Sequence, residues 1–127
     1  MLGFGIAREQ GRANLAPREV IKGQVSNGML LAASDAATGK VKWTRHLPHA
    51  NFGAATVAND VVFTSDFTGK IYAYSTDIGK RLWTAQAPAG INAFPAVTAN
   101  MLLVGAGTPG LGTIKKPVFS ITAYGLG

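Results

Sequence analysis

Hydrophobic and polar positions alternate along this chain in short runs, each broken by glycine and small polar residues. Val61, Phe63 and Ser65 alternate with Val62 and Thr64, and Ile71, Ala73 and Ser75 alternate with Tyr72 and Tyr74. A period of two predicts β-strands. Both faces of these strands are apolar or small, whereas an antiparallel sheet with one wet face alternates more cleanly. The strands are therefore expected in sheets sandwiched between neighbours. A period of 3.6 is not sustained, so helix is expected at most near residues 6–20.

The pattern repeats. Gly39, Lys40 and Trp43 recur as Gly79, Lys80 and Trp83, a shift of 40. The same shift carries Gly53–Val57 onto Ala93–Val97 and Asp60–Phe63 onto Asn100–Leu103. One unit reads as four strands: Gly53–Ala58, Val61–Ser65, Lys70–Ser75 and Arg81–Gln86, joined by Asn-Asp and polar-Gly turns. Four strands in about 40 residues is the mark of a β-propeller blade. The fold class is thus all-β, a propeller fragment of about two and a half four-stranded antiparallel blades. Residues 29–50 supply the last two strands of a first blade (Met29–Ser34 and Val41–His46), and residues 51–88 a complete blade. Residues 89–127 form an incomplete last blade, with strands at Ala93–Thr98, Met101–Ala106 and, after ten extra residues, Val118–Tyr124. Residues 1–28 are an N-terminal extension or partial blade, in which Arg18–Val25 is a candidate for pairing with the first blade.

Composition narrows the classes. Cysteine is absent, which removes disulfides and thiolate metal sites. The net charge is +6, but the basic residues lie near the N-terminus and in turns while the aromatics lie inside strand patterns. Nucleic-acid binding, which needs basic and aromatic groups interleaved on one face, is not expected. No run approaches the roughly 20 apolar residues of a membrane span. Met1–Ala7 carries no basic n-region and no cleavage pattern, so no signal peptide is expected in this chain.

Ala33-Ser34-Asp35-Ala36-Ala37-Thr38-Gly39-Lys40-Val41-Lys42-Trp43 and Ala73-Tyr74-Ser75-Thr76-Asp77-Ile78-Gly79-Lys80-Arg81-Leu82-Trp83 resemble the tryptophan-docking motif of quinoprotein propellers. In the second copy Ser75 and Ile78 stand where Asp and Thr are usual, so its turn should be held by weaker bonds. Asn51, Val62-Phe63, Ala73-Tyr74, Gly79, Leu82-Trp83 and Gly90-Ile91-Asn92-Ala93-Phe94-Pro95 further resemble the late blades of pyrroloquinoline quinone (PQQ)-dependent alcohol dehydrogenases. The resemblance implies a periplasmic or extracellular parent that oxidises an alcohol or sugar with PQQ and Ca²⁺. Its calcium ligands and catalytic Asp come largely from earlier blades that are not found here. No cofactor is expected for this chain alone, and no catalytic or metal-ligating residue. The same repeats occur in the propeller lipoprotein of the outer-membrane assembly machinery, so a non-catalytic scaffold for a protein partner is the alternative. The expected partners are the remaining blades of a propeller or other copies of the chain.

Asn51 and Asn92, each at the head of a first strand beside the propeller axis, are the candidate cofactor-contacting residues. The competing reading, in which each amide only satisfies groups at the blade crossover, is the preferred one. Asp35 and Asp77 belong to docking turns and Asp60 to a hairpin, which leaves Asp66 as the freest carboxylate. His46 and His49 read as a solvated pair at a blade edge. Gly105–Gly110 fits G-x-G-x-x-G, but Pro109, Gly112 and Pro117 forbid the helix that a dinucleotide site needs. A flexible loop is expected there. Trp43 and Trp83 are each expected to be mostly buried, in equivalent places of successive blades.

Overall fold

The computed structural model describes residues 2–8, 29–51 and 55–125. They form three antiparallel sheets. The first joins β1 (Leu2–Arg8), β2 (Met29–Asp35) and β3 (Val41–Leu47), in that order. The middle sheet runs β4 (Thr56–Ala58), β5 (Val61–Ser65), β6 (Lys70–Ser75) and β7 (Arg81–Gln86). The third orders β8 (Ala96–Val97), β9 (Met101–Ala106) and β10 (Ser120–Gly125). Every strand pairs with its neighbour in sequence, the connectivity that tight polar turns allow.

The middle sheet explains why both strand faces are apolar. Val62, Tyr72 and Tyr74 pack towards Met29, Leu31, Ala33, Trp43 and Leu47 of the first sheet. Phe63, Ile71 and Ala73 pack towards Leu102, Val104 and Ala106 of the third, with Ala87, Ala89 and Ile91 of the crossover. Each side-chain set faces a different neighbour, so neither meets water. This is the blade-on-blade arrangement expected of a propeller.

The repeat holds at the level of register. Ala33 pairs with Trp43 and Ala73 with Trp83, and in both pairs the register shifts at the next position. The partner positions skip Lys42 and Leu82, a bulge that increases local twist just before each tryptophan.

The details add to the expectations and in places correct them. The first sheet has three strands among the described residues, because Leu2–Arg8 pairs with Asp35–Met29 along its whole length. Its apolar run fits a strand as readily as a core segment, and its partner lies 20 undescribed residues away, where no local turn signal announces it. Where residues 6–20 are described no helix forms, since residues 6–8 belong to β1; Arg18–Val25 lies outside the described residues. The opening strands of the other two sheets are shorter than expected, at Thr56–Ala58 and Ala96–Val97. The loop after β9 is tied down: Gly90 pairs with Thr108, a 3-10 turn forms at Gly110–Gly112, and the Val118 amide donates to the Pro88 carbonyl.

The two tryptophans also differ. Trp43 is buried, but Trp83 is 38% exposed. Trp43 Nε1 donates to the Thr76 carbonyl at 3.0 Å and its ring lies over Gly79, where a Cβ would come within 2.6 Å of it. Trp83 meets Tyr124 edge-on with ring centres 5.4 Å apart, whereas Trp43 and Tyr74 are tilted by 40° at 6.5 Å. Among the described residues one side of the Trp83 indole is left facing solvent.

Candidate functional site

The polar groups that converge most closely lie where β5 turns into β6. Asp66 is fully buried. Its Oδ1 accepts from the Thr68 amide at 2.9 Å, the Thr68 hydroxyl at 2.6 Å and the Lys70 amide at 3.2 Å. Its Oδ2 accepts from the Tyr72 hydroxyl at 2.9 Å and lies 3.7 Å from His49 Nδ1. An Asp at the head of an Asp-x-x-Gly turn folds back on the amides that follow it, and Gly69 takes the positive φ of 85° that closes the turn. Tyr72 reaches the same carboxylate because it shares a sheet face with it, six residues along.

The main chain of this turn clamps both crossovers. The Phe67 amide donates to the Ala50 carbonyl on the incoming side, and the Ile91 amide donates to the Asp66 carbonyl on the outgoing side. Asp66 is therefore the most constrained carboxylate of the described chain rather than the freest. A lone Asp in a turn motif reads as exposed; only the crossovers closing over it bury it. Burial pushes the Tyr72 phenol well above its ordinary range, and the neighbouring Asp66 charge and hydrogen bond push the same way. The phenol thus keeps its proton, and the cluster is a closed lock that offers no nucleophile.

Asn51 and Asn92 both precede a first strand but lie 41 residues apart, one out of step with the repeat, and their surroundings differ. Asn51 is buried and donates through Nδ2 to the Thr64 hydroxyl at 2.8 Å, while its Oδ1 has no partner among the described residues. Asn92 is exposed, beside Gly105, Gly107, Thr108 and Ser120. The two amides are not brought together. His46 and His49 are exposed, but His49 leans on Asp66.

Asp35 and Asp77 lie at the β2–β3 and β6–β7 turns. Asp35 Oδ1 accepts from the amides of Ala37 and Thr38 and from the Thr38 hydroxyl. The Thr38 amide, first among these bonds, holds Asp35 below the usual carboxylate range. The second turn has fewer such bonds: Ser75 Oγ accepts from the Lys80 amide, and Asp77 accepts from the Ile78 amide. Among the described residues no three His, Cys, Asp or Glu side chains come together. The donor set therefore does not fit Ca²⁺, which takes six to eight oxygens. Gly105–Gly110 ends a strand and enters a 3-10 turn, so the dinucleotide pattern has no helix to open.

Sequence reasoning missed Tyr72 and His49. The Asp-x-x-Gly spacing with a tyrosine in phase on the following strand was a usable signal for Tyr72. Nothing local pointed to His49.

The family described as outer membrane protein assembly factor BamB matches residues 18–113. A quinohemoprotein alcohol dehydrogenase, ADH IIB of Pseudomonas putida, is 36% identical over 84 residues, covering 65% of this chain and 12% of its own. Among solved structures, a europium-containing methanol dehydrogenase superposes with a TM-score of 0.62 at 21% identity, over 77% of this chain and 19% of that one. BamB from Moraxella catarrhalis superposes at 0.54 with 28% identity, over 61% of this chain and 25% of that one. The chain thus spans between about an eighth and a quarter of the length of these relatives.

Proposed function

Since the chain belongs to the propeller family described as outer membrane protein assembly factor BamB, we propose that it serves as a wall segment of a longer quinoprotein-type propeller. In this reading residues 29–50 end one blade, 51–88 make a complete blade and 89–127 an incomplete one, with residues 1–28 a partial blade. The parent is a PQQ-dependent dehydrogenase of an alcohol or sugar, in the periplasm or outside the cell. PQQ and Ca²⁺ would supply the oxidant and its polarisation there. This segment supplies tryptophan docking and part of the axial wall, and by itself is inactive, because its described carboxylates are spent in turns.

The observation that carries the reading is Trp43 seated on the Thr76–Gly79 turn of the next sheet. A bond of this kind, repeated from sheet to sheet, is a way of joining blades, and the likeness to a quinohemoprotein alcohol dehydrogenase, 36% identical over 84 residues, supports a parent of that type. A second reading, a non-catalytic scaffold for a protein partner, is favoured by the family description and by the likeness to BamB. Titration of the chain with PQQ and Ca²⁺, followed by quinone absorbance, tests the inactive-segment reading. No stoichiometric binding is expected, and tight binding would overturn it. Coding sequence flanking these residues separates the two parents: Glu, Asn and Asp ligands in adjoining blades support the dehydrogenase, and their absence the scaffold.

A further inference from the structure

The ten residues that interrupt the repeat after β9 fold back towards the outer part of the middle sheet. There Thr113, Ile114 and Lys115 form one bank of an open groove. The other bank is His49, Lys70 and Gln86, from the crossover, β6 and β7. The groove thus exists only because of the insertion, and Asn51 is not among the residues that line it.

Its charge is one-sided. Among the described residues the carboxylates are Asp35, Asp60, Asp66 and Asp77. Asp60 and Asp77 lie at the opposite end of the middle sheet, at its β4–β5 and β6–β7 turns, and Asp35 lies at the corresponding turn of the first sheet. Asp66 is at this end, but it is fully buried and saturated by its own turn. Neither Lys70 nor Lys115 has a carboxylate within ion-pair distance among the described residues. Lys70 Nζ instead sits 5.9 Å from the centre of the Tyr72 ring, which holds the cation at the rim.

We propose that this groove is a docking site for an acidic peptide segment of a protein partner. Phosphate sites are usually built from free backbone amides. Here the amides of Thr68, Lys70 and Thr113 are already engaged, with Asp66 or with the Gly110 carbonyl. What remains is two lysine ammoniums, the part-exposed His49 and the apolar flank of Ala87 and Ile114. Spaced point charges beside an apolar strip suit carboxylates carried on a chain better than a compact anion.

The test uses the full chain and fluorescein-labelled hexaglutamate, read by fluorescence anisotropy at low salt. Lys70→Gln with Lys115→Gln is expected to weaken binding by about tenfold, and Lys40→Gln with Lys80→Gln, equal in net charge but at the docking turns, by less than about twofold. Lys115→Gln alone, on the insertion and away from the Asp66 cluster, is expected to weaken it by about threefold, which keeps the test open should the double variant not fold. Equal losses from both pairs would show diffuse attraction by net charge and overturn the proposal, as would the absence of binding. Inorganic phosphate is expected to compete no better than chloride at equal ionic strength. Displacement at much lower phosphate concentration would identify a small-anion site and overturn the peptide assignment.

Discussion

Asp66 shows how far a single residue's role depends on what closes over it. A carboxylate in an exposed turn contributes little, but this one receives three donors on Oδ1 and the Tyr72 hydroxyl on Oδ2 in a fully buried place. Asp66→Ala strands those donors, and we expect a loss of about 3 kcal/mol or more in chemical denaturation, since removing one side of a buried charged network leaves the other side unpaired. Tyr72 gives a pH signature. Its pKa is raised in the folded chain, so the native state holds the proton more tightly than the unfolded state does. Below tyrosine's ordinary pKa of about 10 both states are protonated and the stabilisation is complete. Above it the unfolded chain releases its proton first, so stability falls as pH rises. Denaturation midpoints measured across this alkaline range should fall, and Tyr72→Phe should flatten the fall. A residual slope is expected from Tyr74, which burial also raises. An identical slope in the variant would show that the phenol is not confined.

At the scale of elements, the joint between the first two sheets is a tryptophan over a glycine. Gly39 and Gly79 both take positive φ, 72° and 65°, so alanine is strained at either. A Cβ at Gly39 meets nothing within 4 Å, whereas one at Gly79 collides with the Trp43 ring. Gly39→Ala should therefore cost only the backbone term, about 1 to 2 kcal/mol. Gly79→Ala should cost clearly more, and comparable losses would show that Trp43 is not seated there. The two tryptophans should separate as well. Trp43→Ala removes a buried ring and a hydrogen bond, about 3–5 kcal/mol. Trp83→Ala removes a part-exposed ring and should cost roughly half that or less. Thermal unfolding of the two variants side by side decides this.

For the whole molecule, the edges matter most. Among the described residues β10 pairs only with β9, and Ile121 on it is 82% exposed. Phe94, Val118 and Phe119 are also largely exposed. Unpaired strand edges beside apolar side chains template pairing with other chains. The chain alone in solution is expected to self-associate, and light scattering checks it. A stable monodisperse monomer at micromolar concentration would refute the open-edge argument.

Much of the architecture was legible because it is local. Period-two alternation and polar-Gly turns set β5, β6 and β7 to the residue, and the offset of 40 carried the register of Ala33 with Trp43 onto that of Ala73 with Trp83. Both depend on neighbours in sequence, where strand periodicity and turn chemistry act. What depends on distant segments was not legible. Leu2–Arg8 became a strand because β2 had a free edge, and Asp66 was buried because two crossovers met over its turn. Asn51 turned inward to Thr64 while Asn92 stayed exposed. Among the described residues Trp43 was covered while Trp83 was part-exposed, although the two motifs are nearly the same, because the next sheet's turn lies against Trp43. A motif specifies the shape that a residue presents, but burial and charge are settled by whatever else the chain brings alongside.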